Sequence, residues 1–289
     1  MTQLPIRHIR VADVQRITPH MARVSFTGDD LADLHLDGPD QQVKLYFPRP
    51  GQSRPRMPEP GPDLYRWYES FTAIPEPERP WTRSYTIRAH HPQGTLIDID
   101  FALHHNAGPA TRWALHATPG DTLAMFGPSP VFARPVPLTG TDWILLAADE
   151  AALPALGTII EALPEGTRAL AFVEVRDRSE EQRFDTRGEV TLRWLHRGDH
   201  PAGHGTLLTD AVRGADFPPG SVFAWLGAES GTVRALRRHL VGERRLPRRS
   251  VDFTGYWRLT LTQDDAPTEE DLVEARERLA DASAAPGPN

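Results

Sequence analysis

The sequence predicts a β + α/β protein of two domains, an N-terminal six-stranded antiparallel β-barrel and a C-terminal parallel α/β domain. The chain has 289 residues, which is the length of two domains of ordinary size. Apolar and polar residues alternate in short runs through the first half, as in antiparallel strands. In the second half, continuous apolar runs are followed by helical patterns, which is typical of a parallel sheet covered by helices.

Turn signals separate the strand candidates of the first half. The strands are expected at residues 23–26, 42–47, 83–88 and 95–101. Glycine-containing turns are expected at 27–29, 93–94 and 119–121. Short strands with such turns favour a small barrel over about residues 5–135.

The second half carries buried-strand candidates and helical patterns in alternation. The strands are expected at residues 143–148, 169–173, 190–195, 222–226 and 251–256, and the helices at 151–163, 207–212 and 229–240. An amphipathic helix is expected over 268–281, with Thr268 as its N-cap. The chain therefore divides into a barrel domain (1–138), an α/β domain (139–262) and a C-terminal helix with a frayed tail (263–289).

Composition argues against several classes of protein. The net charge of −7 and the pI near 5.9 disfavour a nucleic-acid-binding module, which needs a basic surface. The N-terminus lacks a signal-peptide pattern, and no run approaches the ~20 apolar residues of a membrane helix. A cytoplasmic protein without stable membrane insertion is expected. The absence of cysteine rules out thiolate metal sites and cysteine-ligated iron–sulfur clusters, and no resident metal is expected.

Residues 48–80 contain nine of the 28 prolines, which predicts a long irregular segment. Tyr65, Trp67 and Tyr68 within it suggest a lid over a ligand, but a disordered loop is the default expectation for this composition.

A strand in the first half carries residues suited to a flavin. In Arg83-Ser84-Tyr85-Thr86, alternation places Arg83 and Tyr85 on one face and the two hydroxyl residues on the other. An arginine suits a phosphate, an aromatic ring suits stacking, and hydroxyls suit the edge of a heterocycle. The same residues are also ordinary in a barrel strand, so the strand alone does not decide.

A helix start follows at Gly108-Pro109, where proline occupies the first helical position. The N–H groups of Ala110, Thr111 and Arg112 are therefore expected to point outward and to suit a pyrophosphate. His104 precedes this turn and is expected to reach a phosphate or a ring edge.

Charged residues end the predicted strands of the α/β half, at the edge where parallel sheets bind nucleotides. The first strand runs into Asp149-Glu150 without a Gly-x-Gly-x-x-Gly fingerprint, and an acidic turn with no ligand is the alternative. Glu174 would accept the ribose hydroxyls of NADH, whereas Arg176 would suit the 2′-phosphate of NADPH. The choice between the two donors stays open.

Several motifs, in this order and spacing, resemble those of the siderophore-interacting proteins, a branch of the ferredoxin-reductase-like flavoproteins. The motifs are residues 83–88, 98–104, 108–114, 119–121, 127–128, 148–155 and 255–258. Together they cover roughly residues 5 to 258. The resemblance implies a ferredoxin reductase-like fold with a FAD-binding barrel, an NAD(P)H-binding α/β domain and FAD in the cleft between them.

The resemblance also implies ligand contacts. Those with FAD are Arg83, Ser84, Tyr85, Thr86, Asp100, Phe101, Leu103, His104, Gly108, Pro109, Ala110, Thr111, Trp113 and Trp257. Those with NAD(P)H are Asp149, Glu150, Ala152, Glu174, Arg176 and Glu229. In this assignment the Tyr85 ring lies against the isoalloxazine and Thr86 reaches its polar edge. Trp257 forms an aromatic wall beside the flavin, with core packing as the alternative.

An anionic iron chelate needs positive charge around it. Lys44 is the only lysine among 32 basic residues, and Lys44, Arg112 and Arg134 are the candidates to bind the chelate. A plain surface lysine is the alternative for Lys44.

The resemblance implies a FAD-dependent NAD(P)H oxidoreductase whose substrate is a ferric siderophore. Hydride would pass from NAD(P)H to FAD, and single electrons would then reduce Fe(III) to Fe(II), which is released for iron assimilation. No side chain is expected to act as acid or base. The alternatives are a flavin-dependent reductase with a different acceptor and a redox-inactive siderophore-binding protein. A monomer or weak dimer is expected, and the siderophore class, catecholate or hydroxamate, stays open.

Overall fold

The computed structural model describes residues 6–59, 61, 63–91, 93, 95–104, 108–128 and 136–260. The elements of the first half are β1 (Ile6–Thr18), β2 (Met21–Thr27), β3 (Gln42–Phe47), α1 (Leu64–Thr72), β4 (Trp81–His91), β5 (Leu96–Ala102), α2 (Pro109–His116) and β6 (Thr122–Phe126). The strands close into a six-stranded barrel in the order β1-β2-β5-β4-β3-β6, with antiparallel neighbours. The predicted barrel is confirmed.

Strands β1 and β6 were not among the expected strands. In β1, buried Ile9 and Val11 alternate with exposed His8 and Arg10. The alternation is interrupted further along, because the β1–β2 register shifts between Val11 and Asp13. The charged residues and the irregular register hide the period-2 pattern on which strand prediction rests.

The inward side chains of the strands form the barrel core. Phe26, Phe47 and Phe101 are each fully buried there. Helix α2 closes this core with Trp113, whose ring stacks on Phe26 at a centroid distance of 6.1 Å and lies 5.4 Å from Phe47. The helix is therefore anchored to the barrel by its aromatic side chain, and this fixes the position of its first turn.

The proline-rich segment is not the disordered loop that its composition predicts. It contains α1, which Asp63 caps by accepting from the N–H groups of Tyr65 and Arg66. Trp67 is 5% exposed and packs on the outside of the barrel against Tyr46. Burial of this apolar face offsets the entropy of ordering the segment.

The second half is a parallel sheet covered on both faces. Its elements are β7 (Trp143–Asp149), α3 (Leu153–Ala162), β8 (Arg168–Val175), β9 (Glu189–His196), α4 (Leu207–Arg213), β10 (Val222–Glu229), α5 (Ser230–Arg238) and β11 (Val251–Trp257). The strand order is β11-β10-β7-β8-β9. Alternate residues of central β7 pack against α3 on one face and against α4 and α5 on the other. The expected α/β architecture is confirmed.

The five α/β strands extend up to three residues beyond their predicted bounds, mostly at the carboxyl edge. The helix expected over 268–281 and the tail lie outside the described residues. The domain boundary at residue 138 stays a prediction. Among the described residues, no helix has the length and apolar character needed to cross a bilayer.

The two halves share a packed interface. Met21 and Ala102 of the barrel pack with the α3 face of the sheet. Arg88 of β4 donates to both carboxylate oxygens of Glu161 on α3 at 2.6 and 2.7 Å. Buried Glu180 accepts hydrogen bonds from Thr18 and His20 at the β1–β2 turn. These contacts bring the carboxyl edge of the sheet next to strand β4.

Candidate functional site

Strand β4 leaves the barrel ladder open beside its first half. Trp81–Thr86 pair with β3, whereas the pairing with β5 begins only at Ile87, which lies opposite Ile99. Helix α2 packs against both β4 and β5. The β4–β5 ladder therefore begins only at Ile87, and a ligand can approach β4 beside its first half.

Alternation along β4 is as predicted. Tyr85 lies opposite Val43 in the inward row, and its ring centroid is 4.4 Å from that of Phe101. Burial raises the pKa of the Tyr85 hydroxyl well above its ordinary value. Thr86 lies in the outward row opposite Gln42 and is 5% exposed. Its hydroxyl is buried and makes no hydrogen bond of normal geometry among the described residues, although it lies close enough to the Tyr256 hydroxyl to lower the pKa of that group.

The first turn of α2 has the expected form, with Gly108 at the N-cap and Pro109 at the first helical position. Thr111 donates its hydroxyl proton to the carbonyl of Ala102, which ties this turn to the end of β5. The expectation for Arg112 is wrong, because its N–H already donates to the Gly108 carbonyl at 3.0 Å. The amides of Ala110 and Thr111 immediately precede it in the first turn of the helix, where no intrahelical acceptor is available.

Other predicted FAD contacts have partners within the barrel. Asp100 is 3% exposed and forms a two-point ion pair with Arg23 at 2.7 and 2.9 Å. The side chains of Phe101 and Leu103 belong to the barrel core. Any contact of these two residues with a cofactor would therefore use main-chain atoms.

His104 faces the α/β domain across the junction. Its Nδ1 lies 3.3 Å from a carboxylate oxygen of Glu150, in the turn after β7. Glu150 also accepts two hydrogen bonds from Arg197, at 2.5 and 2.8 Å. Sequence analysis did not identify Arg197, which follows edge strand β9. The three residues join a predicted FAD contact to a predicted NAD(P)H contact.

Asp149 ties three strand ends together. Its carboxylate accepts from the N–H groups of Ala151 and Glu229 and from Nε1 of Trp257, at 3.0, 2.9 and 2.7 Å. Burial raises the pKa of Asp149 to about 7, although these hydrogen bonds act in the opposite direction. Asp149 therefore fixes the ends of β7, β10 and β11 against one another and orients the Trp257 indole.

Glu229 caps helix α5. Its carboxylate accepts from the N–H groups of Gly231 and Thr232 at 2.6 and 3.1 Å. Gly203, whose φ is +73°, lies against both Glu229 and Trp257, and a Cβ there would approach the Trp257 ring to 2.8 Å. Glu229, a predicted NAD(P)H contact, therefore lies in a packed turn.

Glu174 and Arg176, two further predicted NAD(P)H contacts, lie at and just after the end of β8. Glu174 is 8% exposed at the end of β8, and burial raises its pKa, while the charge of Arg197 opposes that change. Arg176 contacts Nε2 of His20 at 3.3 Å and donates to Asp199 at 3.1 Å. The choice between NADH and NADPH stays open.

The three residues predicted to bind the chelate lie in different parts of the barrel domain. Lys44 is exposed on the outward row of β3, opposite Ser84. It therefore lies on the same outer face of the barrel as Thr86. Arg112 is exposed on α2. Arg134 lies outside the described residues.

A half-buried carboxylate at the junction, Asp40, could not be predicted from the sequence. Asp40 accepts from the Tyr256 hydroxyl at 2.8 Å and from Nε1 of Trp225 at 3.0 Å. In the sequence, Asp40 follows Gly38-Pro39 and has the character of an ordinary turn residue. No local signal indicates that its partners lie more than 180 residues away.

Comparison with known proteins identifies both halves. Residues 10–132 match the family model of the siderophore-interacting FAD-binding domain, and residues 141–260 match that of siderophore-interacting protein. The crystal structure of a siderophore utilization protein from T. fusca is similar, with 36% identity, a TM-score of 0.78 and coverage of 91% of this chain and 97% of that chain.

Two curated relatives are reductases by name. Ferric vibriobactin reductase ViuB of Vibrio cholerae is 28% identical over 89% of this chain and 91% of its own length. The NADPH-dependent ferric-chelate reductase of Escherichia coli is 29% identical over 88% of this chain and 93% of its own length. A barrel followed by a parallel sheet is the ferredoxin-reductase-like fold. The chain belongs to the siderophore-interacting protein family.

Proposed function

We propose that the chain is a FAD-dependent reductase that uses NAD(P)H to reduce the iron of a ferric siderophore. The buried Thr86 hydroxyl is the observation that carries this proposal, because among the described residues it makes no hydrogen bond of normal geometry, and the polar group beside it is the Tyr256 hydroxyl. An unpaired buried hydroxyl is costly unless a ligand satisfies it. It lies on β4, where the barrel ladder is open and α2 begins nearby, and these features fit a flavin nucleotide.

The chain's own residues would hold the cofactor in two places. Thr86 would bind the polar edge of the flavin from the outward row of β4, whereas Tyr85 lies in the inward row and would reach the flavin only along the open edge of that strand. The free amides of Ala110 and Thr111 would bind the pyrophosphate, because a helix N-terminus favours an anion. Thr111 and Trp113 keep that turn fixed to the barrel through the contacts described above.

At the carboxyl edge of the sheet, Asp149 and Glu150 would help to orient the nicotinamide donor. Asp149 holds Trp257 by its indole N–H, so this ring has a defined position at the carboxyl edge of the sheet. The Glu150–Arg197 pair fixes the turn after β7. The name of the Escherichia coli relative supports NADPH as a donor, and the proposal keeps both NADH and NADPH.

When bound, FAD supplies the chemistry that no side chain provides, since it accepts two electrons as hydride and delivers them singly to Fe(III). The protein's residues position the donor and the chelate and need not act as acid or base. Lys44 would attract an anionic chelate to the outer face that Thr86 shares. Ferrous iron binds hard oxygen ligands less tightly than ferric iron, so reduction would release it.

The test is a ferrous-iron assay on FAD-reconstituted protein. A ferric catecholate and a ferric hydroxamate are each mixed with NADH or NADPH and a ferrous-specific chromophore, with free FAD at the same concentration as the control. We expect Fe(II) to appear faster than with free FAD. A rate no faster than free FAD, with flavin still reduced, would instead favour a different acceptor. A protein that binds the chelate but takes up no FAD would be a redox-inactive siderophore-binding protein.

The cytoplasmic location and the monomeric or weakly dimeric state stay predictions. Gel filtration with light scattering would measure the second.

A further inference from the structure

Asp40 is half-buried and has an unusual backbone conformation. Its φ is +55°, in the left-handed region that residues other than glycine seldom adopt and that Asp and Asn tolerate best. Its main-chain N–H donates to the hydroxyl of Thr158 on α3, at 2.9 Å. The barrel loop before β3 is therefore fastened to the α/β domain at the position of this residue.

The Asp40 side chain receives donors from both domains. The Tyr256 hydroxyl and the Trp225 indole reach it from the α/β sheet, and Gln42 of the barrel lies 3.4 Å from the same carboxylate. Burial raises the pKa of Asp40 to about 6, while these hydrogen bonds lower it and the charge of Asp252 on β11 raises it. The junction thus encloses a carboxylate whose contacts are supplied by the two domains together.

Tyr256 reaches Asp40 because β11 is irregular there. In the β10–β11 ladder, Ala228 lies opposite Gly255 and Glu229 lies opposite Trp257, so Tyr256 is the extra residue of a bulge. A bulge redirects a side chain that a regular strand would point elsewhere. The left-handed backbone of Asp40 and the bulge at Tyr256 both serve the hydrogen bond between these two residues. Backbone strain of this kind is concentrated at functional sites.

The next residue along β11 has a carboxylate partner of its own. Trp257 donates to Asp149 at 2.7 Å, whereas Tyr256 donates to Asp40 at 2.8 Å. One carboxylate comes from the α/β domain and the other from the barrel. The end of β11 is therefore fixed from two sides.

Tyr256 also lies next to the candidate flavin strand. Gln42 donates to the Tyr256 hydroxyl at 3.3 Å, and Gln42 lies opposite Thr86 in the β3–β4 ladder. The Thr86 hydroxyl itself lies close enough to the Tyr256 hydroxyl to lower the pKa of that group. The Asp40–Tyr256 contact thus connects the strand that carries Thr86 to the sheet edge that carries Trp257.

We propose that Asp40 is a positioning residue of the cofactor site, which acts through Tyr256 to hold the end of β11, and with it Trp257, against strand β4. The inference rests on the proposed function, since it concerns how closely the nicotinamide donor approaches the flavin. Asp40 touches neither ligand. Its role is to set the distance between the two binding edges.

The test compares Asp40→Asn, Tyr256→Phe and the double variant with wild type. Asparagine keeps the left-handed preference and the shape of Asp40, and phenylalanine keeps the ring of Tyr256. Asp37→Asn is the matched control, since Asp37 is an exposed acid of the same loop. The measured quantities are the FAD dissociation constant, flavin reduction by NAD(P)H in stopped flow, flavin reduction by dithionite, and the tryptophan fluorescence of the apoprotein.

We expect each single variant to slow reduction by NAD(P)H about tenfold, since small misplacements of reacting groups have large effects on rate. The double variant should be no slower than the slower single one, because both changes break the same contact. Reduction by dithionite and FAD affinity should stay within about twofold of wild type, and the apoprotein fluorescence should change in all three variants but not in the control.

Wild-type rates of NAD(P)H reduction in the single variants would overturn the inference, as would losses that multiply in the double variant. Equal slowing by NAD(P)H and by dithionite would also overturn it, because it would show general damage to the flavin site. Failure of the proposed function is distinct, since it would appear in the wild-type protein as no FAD uptake or no reduction. The fluorescence of the apoprotein tests the Asp40–Tyr256 contact in either case.

Discussion

Replacing Asp149 by asparagine should change how the stability of the protein depends on pH. In the folded protein the pKa of Asp149 is raised from 3.8 to about 7, chiefly by burial. A group whose pKa is raised on folding contributes stability below its unfolded pKa and loses that contribution as the pH rises through its folded value. Wild type should therefore lose stability relative to Asp149→Asn between about pH 4 and pH 8.

The size of this effect follows from the two pKa values. Their difference is roughly three pKa units, and one unit corresponds to about 1.4 kcal/mol, so the full effect is about 4 kcal/mol. A second contribution does not depend on pH. Asparagine has one acceptor oxygen in place of two, so its amide N–H donors would point either at the N–H of Ala151 or at the N–H groups of Glu229 and Trp257. This conflict lowers the stability of the variant by a constant amount.

The assay is urea unfolding of the apoprotein at several pH values, with the difference in unfolding free energy taken between wild type and Asp149→Asn. Other groups that titrate in both proteins, including Asp40, cancel in this difference. We expect the difference to shift in favour of the variant by about 4 kcal/mol from pH 4 to pH 8. A difference that does not change with pH, or that shifts in favour of wild type, would refute the conclusion that burial raises the pKa of the Asp149 carboxylate.

Three further changes give separate predictions. Thr86→Val should leave the unfolding free energy of the apoprotein within about 0.5 kcal/mol of wild type, because its hydroxyl makes no hydrogen bond of normal geometry among the described residues. Calorimetry should nevertheless show FAD binding weakened about five- to tenfold, the value of one hydrogen bond; unchanged FAD affinity would contradict the site. Trp67→Ala should cost about 3–5 kcal/mol in urea unfolding, because the ring is buried against the barrel, and a loss below about 1 kcal/mol would mean that α1 is not an anchored helix. Changing exposed Tyr65 and Tyr68 together to serine should alter neither stability nor Fe(II) release, since these side chains are 71% and 59% exposed on an anchored helix; slower Fe(II) release would revive the lid hypothesis.

The α/β half could be predicted closely from the sequence because its central strands are buried on both faces. In β7 every residue from Trp143 to Asp149 is buried, so the strand has the character of one apolar run. Strand β1 is different, since its polar positions carry charges and its register shifts twice. Period-2 analysis therefore missed a strand of 13 residues.

Helix α1 was missed for another reason. Its helical signal is short, and the prolines on both sides favour an irregular segment. What orders it is the contact of Trp67 and Phe71 with Tyr46, and that contact exists only once the barrel has formed. Tertiary packing outweighed local propensity here.

The candidate site shows the same division. Arg83–Thr86 and the helix start at Gly108 are continuous in sequence, so their residue types could be interpreted directly. Asp40 and Arg197 could not be assigned, because their roles depend on partners contributed by distant strands. A lone aspartate after Gly-Pro has the same local pattern whether its carboxylate is exposed or buried.

The proposed reductase activity is tested most directly by an anaerobic visible absorbance spectrum of the FAD-reconstituted protein, recorded before and after NADH or NADPH and again after a ferric siderophore. We expect a bound flavin spectrum that bleaches with the nicotinamide and returns when the chelate is added, with Fe(II) formed at two per flavin reoxidised. A protein that takes up no FAD, or a flavin that bleaches but is not reoxidised by any ferric siderophore, would contradict it.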